Sequence, residues 1–324
     1  MSRSGEFEVI DRWFVPLTDE GALGLTDDAA ILPDAPPGES WIMTKDAMVA
    51  GVHFLPDDPP DLVARKLLRV NLSDLAAMAA RPVGYLLATA FTPDQDDDWI
   101  AAFARGLAED QQEFGVHLYG GDTVSTPGPL TLSLTAFGLA PRARLLRRDS
   151  ARAGDDIWVS GTIGDSALGL RILTGDIAEA DPADAAFLAD RYRLPRPRLA
   201  LGHALGGLAT AGQDVSDGLV ADLGHIADTS RVAMSIAFEN VPLSPAAREV
   251  LALRPDLALL PLVGGDDYEL VFTAPASARA AIADLGTRTG TPVRRIGEVE
   301  EGEGVTVTAR GEPLKLAQTG WRHF

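Results

Sequence analysis

The chain has no cysteine, and only three of its 28 basic residues are lysines, Lys45, Lys66 and Lys315. The first absence removes a disulfide scaffold, a thiolate zinc site and a cysteine nucleophile. The second goes with a missing motif: there is no G-x-x-x-x-G-K-[ST] and no G-x-G-x-x-G, so no lysine-bearing or dinucleotide-type phosphate loop. No G-x-S-x-G elbow, H-E-x-x-H pair or EF-hand loop is present either, which removes the common hydrolase, zinc-protease and calcium-sensor chemistries. A basic surface is also lacking. The net charge of −19 argues against nucleic acid and anionic membranes as partners. No apolar run approaches the roughly 18 residues of a membrane span. The polar start, Met1 to Glu6, shows no signal peptide, which predicts a cytoplasmic protein. An anionic ligand would have to be met by bridging cations, arginines and backbone N–H groups.

What the chain does have is apolar content for two ordinary cores, 46% over 324 residues with only 23% charged. It also has seven aspartates in glycine-punctuated or turn-flanked settings: Asp27 and Asp28, Asp46, Asp74, Asp122, Asp214 and Asp217. Taken singly, each suits a helix cap or a turn. Brought together they would repel one another unless hard cations sat between them, which suggests several Mg²⁺ ions holding a polyphosphate. The acidic run Asp94 to Asp98 reads as the favourable negative charge at a helix start.

Apolar spacing predicts a helix over 6–17 and a short strand over 41–44 ending at Asp46. It then predicts a helix from Pro59 to just before Arg81, with Asp74 within or beside it. A strand over 83–91, a helix over 96–114, a strand over 116–119 delivering Gly120, Gly121 and Asp122, and a strand over 130–139 follow. The arginine-rich stretch 141–154 has no apolar period and reads as a boundary between domains at 1–140 and 150–324. Beyond it, strands are expected over 156–160, 213–215, 232–238, 269–273, 293–299 and 305–308. Gly161 to Asp165 turn into a helix, a helix runs from Pro197 to about Ala211, and Asp217 opens another to about Ala227. The class is α+β.

Eight blocks in order resemble the thiamine-monophosphate kinase family, of the superfamily that includes aminoimidazole ribonucleotide synthetase. They are Gly5-Glu-Phe7, Asp27-Asp28-Ala-Ala30, Thr44-Lys-Asp46 with Gly51-Val-His53-Phe54, Asn71-Leu-Ser-Asp74, Gly120-Gly-Asp122-Thr123, Asp214-Val-Ser-Asp217-Gly218, Gly264-Gly-Asp-Asp-Tyr-Glu269, and Gly320-Trp-Arg-His-Phe324. The resemblance implies an N-terminal sheet domain that pairs in a homodimer and binds ATP and Mg²⁺. It also implies a C-terminal α/β sandwich that completes the ATP and substrate sites. The reaction it implies is ATP- and Mg²⁺-dependent conversion of thiamine monophosphate to thiamine diphosphate. It assigns metal binding to Asp28, Thr44, Asp46, Asp74, Asp122, Asp214 and Asp217. ATP contacts fall to Gly121, Asp122, Ser216 and an arginine, Arg148 or its neighbour Arg147, and the acceptor to His53, Glu269 and Trp321. Two positions depart from the family pattern. Lys45 stands where a small hydroxyl residue is common, and Asp149 where serine often is. A phosphate monoester acceptor, with its second pKa near 6, is already anionic at neutral pH and needs no general base. Absence of cysteine disfavours the selenium-activating branch of the superfamily, and Trp321 with Glu269 favours a thiamine acceptor.

Overall fold

The computed structural model describes residues 5–27, 29–316 and 320, so Asp28 and Trp321 lie outside the described residues. The chain divides into two compact units, Met1–Leu75 with Ala80–Arg142, and Ala76–Ala79 with Ala143–Phe324.

In the first unit a short helix α1 (Glu6–Val9) continues as tighter and looser helical turns to Leu17. Four strands follow, β1 (Glu39–Val49), β2 (Arg81–Phe91), β3 (His117–Ser125) and β4 (Thr131–Pro141), ordered β1-β4-β2-β3. Helix α2 (Pro60–Ala77) links β1 to β2. Helix α3 (Asp97–Phe114) makes the crossover between β2 and β3, the one parallel pair of this sheet. Each helix carries its own punctuation. Proline at its first position and Asp61 in its first turn start α2. Asp96 caps α3 by accepting from the Trp99 N–H at 2.9 Å, and Gly115 ends it at φ +66°. Both helices lie on one side of the sheet. Asn71 on α2 accepts the Asp46 N–H, and Gln111 on α3 donates to the Tyr85 hydroxyl. Between the helices, buried Arg69 pairs with fully buried Asp110. Leu67, Leu68, Leu72, Ile100, Phe103 and Leu107 from the helices and Tyr85, Leu132 and Leu134 from the strands form the buried interior. Among the described residues, neither α2 nor α3 covers the other side of the sheet, where Ile10, Phe14 and Ala22 of the N-terminal turns line a cavity together with Met43 and Leu86.

Two strands are longer than the sequence pattern suggests, and both matter. β1 runs through Asp46, which is therefore mid-strand. β3 absorbs Gly120 and Gly121, which the sequence reads as a turn. A β-carbon at position 121 would lie 1.8 Å from the Leu87 carbonyl oxygen, so glycine here permits close approach between strands and does not turn the chain.

The second unit holds strands β5 (Asp155–Ser160), β6 (Ala211–Asp214), β7 (Ala233–Ala237), β8 (Leu270–Pro275), β9 (Val293–Glu300), β10 (Gly304–Ala309) and β11 (Glu312–Pro313), ordered β11-β10-β7-β9-β5-β8-β6. Its helices are α4 (Asp165–Leu173), α5 (Pro182–Arg193), α6 (Leu199–Leu205), α7 (Leu219–Ser230), α8 (Pro245–Leu253), α9 (Leu260–Val263) and α10 (Arg279–Arg288). Alternation sends Ile157, Val159 and Val271 into one apolar cluster with α7, and Trp158, Leu270 and Phe272 into another with α6 and α10. The sheet is thus packed on both faces, which makes the domain an α/β sandwich. Helix α6 stops at Leu205, well short of the expected 211, because Gly206 and Gly207 (φ +83°) break it before β6 begins. Helices α5, α8 and α10 fall where the sequence pattern predicts no element. Among the described residues no helix is long and apolar enough to cross a membrane.

Candidate functional site

Mid-strand placement on β1 points Thr44 and Asp46 to the same side, toward α2, because alternate residues of a strand share a face. Asp74, near the C-terminal end of α2, meets them there. The Thr44 hydroxyl donates to Asp74 Oδ2 at 2.5 Å, and the Asp46 and Asp74 carboxyls are hydrogen-bonded to each other. Burial, the Asp74 charge and that hydrogen bond together raise the Asp46 pKa to about 7. The backbone beneath is fixed as well, with Asp46 N–H donating to Asn71 Oδ1 at 3.1 Å and the Ser133 hydroxyl donating to the Asp46 carbonyl. Two carboxyls this close hold a proton between them or a cation. The donor set, two carboxylates and a hydroxyl, is all oxygen and suits a hard ion such as Mg²⁺.

Asp122 is not brought to this cluster. Its neighbour Thr123 turns inward to hydrogen-bond Thr89, so Asp122 lies on the opposite face. Strands β4 and β2 stand between β1 and β3, which separates the two backbones by about 14 Å at ordinary strand spacing. The first unit's aspartates therefore do not form one ring of ligands. Lys45 shares this opposite face with Asp122, and both line a cavity of about 750 Å³ with Asp27, Gly121, Ser133 and Thr135. Alternation thus keeps the lysine away from Asp46 and Asp74. His53 follows β1 and is held by one bond to its ring and one to its backbone. Nδ1 accepts the Val49 N–H at 3.0 Å, and its carbonyl accepts from Lys66 at 3.0 Å. A neutral His53 therefore carries its proton on Nε2.

In the second unit two sequence blocks close into one piece of structure. Tyr268 N–H donates to the Val215 carbonyl, Asp266 N–H to the Ser216 carbonyl, and Val215 N–H to the Glu269 carbonyl, each at 2.8 Å. Asp266 (φ +70°) and Tyr268 (φ +50°) sit in the left-handed region to make this pairing, a local strain of the kind found at functional sites. A β-carbon at Gly265 would lie 2.3 Å from the Ser216 carbonyl oxygen, so the two loops touch. Asp214 is buried at the end of β6, while Ser216 and Asp217 are half-buried at the start of α7. Asp222, a residue the sequence reading passes over, gathers the loop. Its Oδ2 accepts the N–H groups of Ser216, Asp217 and Gly218 at 3.0, 3.1 and 3.1 Å. Burial and the nearby Asp217 raise the Asp222 pKa to about 7. The signal in the sequence was an acid in the first turn of a helix that follows a motif. Gly320, which opens the last of the eight blocks, meets the same loop. A side chain there would lie 2.7 Å from the Asp217 carbonyl oxygen.

Glu269 does not face open space. It is fully buried, accepts from the Ser160 hydroxyl at 2.6 Å and from Arg191 at 2.8 Å, and is bound by two guanidinium nitrogens of Arg198. The contact with the acceptor is what the resemblance implies for Glu269; in the structure its carboxylate holds Arg191 and Arg198. Asp267, also buried, closes the N-terminus of α4 by accepting from Gly164 and Ser166 N–H, and burial raises its pKa well above the usual range. Of the two candidate arginines, Arg147 is paired with Asp149 at 2.6 Å. The Arg148 carbonyl accepts from Ser230 at 2.7 Å while its side chain is exposed.

Comparison with known proteins places this geometry in a family. The AIR synthase related protein N-terminal domain matches residues 26–140, and the C-terminal domain of the same proteins matches 152–310. Thiamine-monophosphate kinase of Caulobacter vibrioides is 46% identical over 323 residues, covering 98% of this chain and 90% of that one. The enzyme of the same name from Escherichia coli strain K12 is 42% identical, covering 99% and 98%. The crystal structure of thiamine-monophosphate kinase from Stenotrophomonas maltophilia K279a superposes with a TM-score of 0.84 at 43% identity, over 97% of this chain and 99% of that one. A structure described as AaThiL complexed with AMPPCP and TMP gives 0.79 at 30% identity, over 99% and 97%. With both domain matches in order and near-complete coverage by these relatives, the chain belongs to the thiamine-monophosphate kinase family of AIR synthase related proteins.

Proposed function

We propose that this protein is an ATP-dependent kinase that transfers the γ-phosphoryl group of ATP directly to the phosphate of thiamine monophosphate, yielding thiamine diphosphate. The observation that carries the reading is near-full-length similarity to a structure holding AMPPCP, an ATP analogue, together with TMP. The acceptor oxygen is anionic above about pH 6, so transfer needs no base, and His53 fits that chemistry. With Nδ1 occupied by the Val49 N–H, that nitrogen is not placed to act as a base. Repulsion between the two phosphates is the barrier, since a single pair of unit charges about 4 Å apart costs roughly 4 kcal/mol at an effective dielectric near 20.

Thr44, Asp46 and Asp74 would hold Mg²⁺ in the first unit, and Asp214 and Asp217 in the second. Asp122 would hold an ion on the other face of the sheet from Asp46. Bound Mg²⁺ would supply charge neutralisation and alignment of the two phosphates. Toward ATP, Gly121 of the first unit lets the β3 backbone approach closely; in the second unit Ser216 offers a hydroxyl on a fixed loop, and the exposed Arg148 is the better placed of its pair. Asp28 and Trp321 keep their proposed roles, metal binding and the acceptor rings. The face of the four-stranded sheet away from α2 and α3 carries exposed Met43 (65%), Leu86 (41%) and Val124 (48%), an apolar surface suited to pairing with a second copy as a homodimer. Incubating the protein with ATP, Mg²⁺ and thiamine monophosphate and measuring thiamine diphosphate by mass tests the reading. No product, or product with another acceptor alone, sinks it.

A further inference from the structure

The Ser216–Gly218 turn presents three successive backbone N–H groups to one point, the arrangement that elsewhere cradles a phosphate or carboxylate oxygen. Here that point is already taken by Asp222 Oδ2. The rest of the carboxylate is anchored from below. Oδ1 accepts from Gln213 Nε2 at 2.7 Å, and the Asp222 backbone N–H returns to the Gly218 carbonyl at 3.0 Å. On its outer side the loop is held by the Gly264–Glu269 segment, which accepts the Val215 N–H and donates to the carbonyls of Val215 and Ser216. Val215 and Ser216 thus have both backbone polar groups committed, as does Gly218, while the side chains of Ser216 and Asp217 remain half-exposed.

We infer that Asp222 is a positioning residue: it plugs the amide nest of the Asp214–Gly218 loop from inside the protein and so presets the directions of Asp214, Ser216 and Asp217. This rests on the functional reading above, in which those three residues meet cations and nucleotide. It adds a restriction. Because the nest is filled by the protein's own carboxylate, the loop acts on its ligands through side chains and not through the backbone amides of 216–218. The carboxylate lies 1% exposed beneath the loop, and its fixed partner Gln213 keeps its Oε1 without a hydrogen bond. An asparagine at 222 can satisfy the same amides with its oxygen while its NH₂ group donates to that Oε1 after the Gln213 amide turns over. Shape and acceptor capacity are what the role requires; charge is not.

The test compares full-length Asp222→Ala and Asp222→Asn with the parent protein. Asp222→Ala is expected to lower kcat by about 100-fold, the scale of losing alignment from outside the reacting groups, and to raise the Mg²⁺ concentration for half-activation. Asp222→Asn should restore most of both, and formate, small enough for the vacated space, should partly rescue Asp222→Ala. Full activity in Asp222→Ala overturns the proposal. So does an Asp222→Asn as impaired as Asp222→Ala, which would make the carboxylate a direct cation ligand beside Asp217 and His225. Amide hydrogen exchange supplies a readout free of turnover. In the unliganded parent protein the N–H groups of Ser216, Asp217 and Gly218 should be strongly protected, and ATP with Mg²⁺ should add no further protection. Rapid exchange of these three amides, or protection that appears only with ATP, overturns the plug even if Asp222→Ala fails to fold. A parent protein without kinase activity but with protected amides would refute the functional reading alone.

Discussion

Asp46 illustrates how one carboxyl can weaken a fold and serve a site. Its pKa is raised to about 7 by burial and by Asp74, so above that pH the metal-free protein holds two charges where one proton had joined them. Asp46→Asn removes the repulsion and keeps the shape. Without divalent ions near pH 8 this variant should melt higher than the parent protein, while its kcat with Mg²⁺ falls by about 100-fold or more. A turn-forming aspartate would behave otherwise, and a variant with normal turnover would dismiss the cation site at this position. Glu269 makes the complementary case. Glu269→Gln takes the charge away from two arginines that are 4% and 17% exposed. Leaving one side of a buried ion pair uncompensated costs about 3–5 kcal/mol. Urea unfolding should show that loss, with the KM values for ATP and acceptor moving together. A selective rise in acceptor KM at unchanged stability would instead place Glu269 in the acceptor pocket.

Among the elements, the two loops that carry Asp217 and Asp266 behave as one, and glycine sets their distance. Gly265→Ala would drive a methyl group into the Ser216 carbonyl at 2.3 Å, backbone against backbone, where no rotamer change can relieve it. Turnover should drop by about tenfold or more through displaced Ser216 and Asp217; a Gly265→Ala protein with unchanged kcat would show that the loops move independently. This pairing was not legible in the sequence, since Val215 and Tyr268 are 53 positions apart and meet only through backbone hydrogen bonds that no residue type advertises. What could be read was local. Helices α2 and α3 showed their caps and apolar period, and most strands could be located by their β-branched runs. The limits of those strands were harder, because Gly120 and Gly121 punctuate a sequence yet here allow close strand packing. The same misreading hid the consequence of alternation: Asp46 and Asp122 lie in equally suggestive motifs, but the sheet turns them to opposite faces. Asp222 and the Arg191–Glu269–Arg198 group escaped notice because their meaning depends on which distant groups burial brings against them.

At the scale of the whole molecule, charge and exposed apolar surface each lead to a measurement. If the chain pairs as proposed through the face of the four-stranded sheet that carries Leu86, Leu86→Glu should shift sedimentation from a dimer toward a monomer, and an unaltered dimer would put the contact elsewhere. The second measurement concerns the balance of the buried acids. Asp46, Asp165, Asp222 and Asp267 all have pKa values raised by burial, whereas Asp156, held by Arg279 and Arg295, is shifted down. A raised carboxyl pKa means that the folded state binds its proton more tightly than the unfolded chain. Its contribution to stability is complete below the unfolded value near 4 and is lost as pH rises through the folded value, which for Asp46 and Asp222 is about 7. Asp156 works in the opposite sense, its contribution being present above the unfolded value and lost in acid. Downward-shifted carboxyls act in acid, whereas Asp46 and Asp222 change charge near pH 7, so the melting temperature of the protein in EDTA should fall between about pH 5 and about pH 8. Divalent cations can replace the lost proton only where oxygens converge, as at Thr44, Asp46 and Asp74. Mg²⁺ should therefore raise the melting temperature more at the higher pH than at the lower one, because at the lower pH it must displace a proton that already satisfies the pair. The Asp46→Asn variant should lose most of that pH-dependent difference while keeping the general fall with pH from the other acids. An Mg²⁺ effect of equal size at both pH values, or one that Asp46→Asn leaves intact, would show that the cation does not bind at the carboxyl pair.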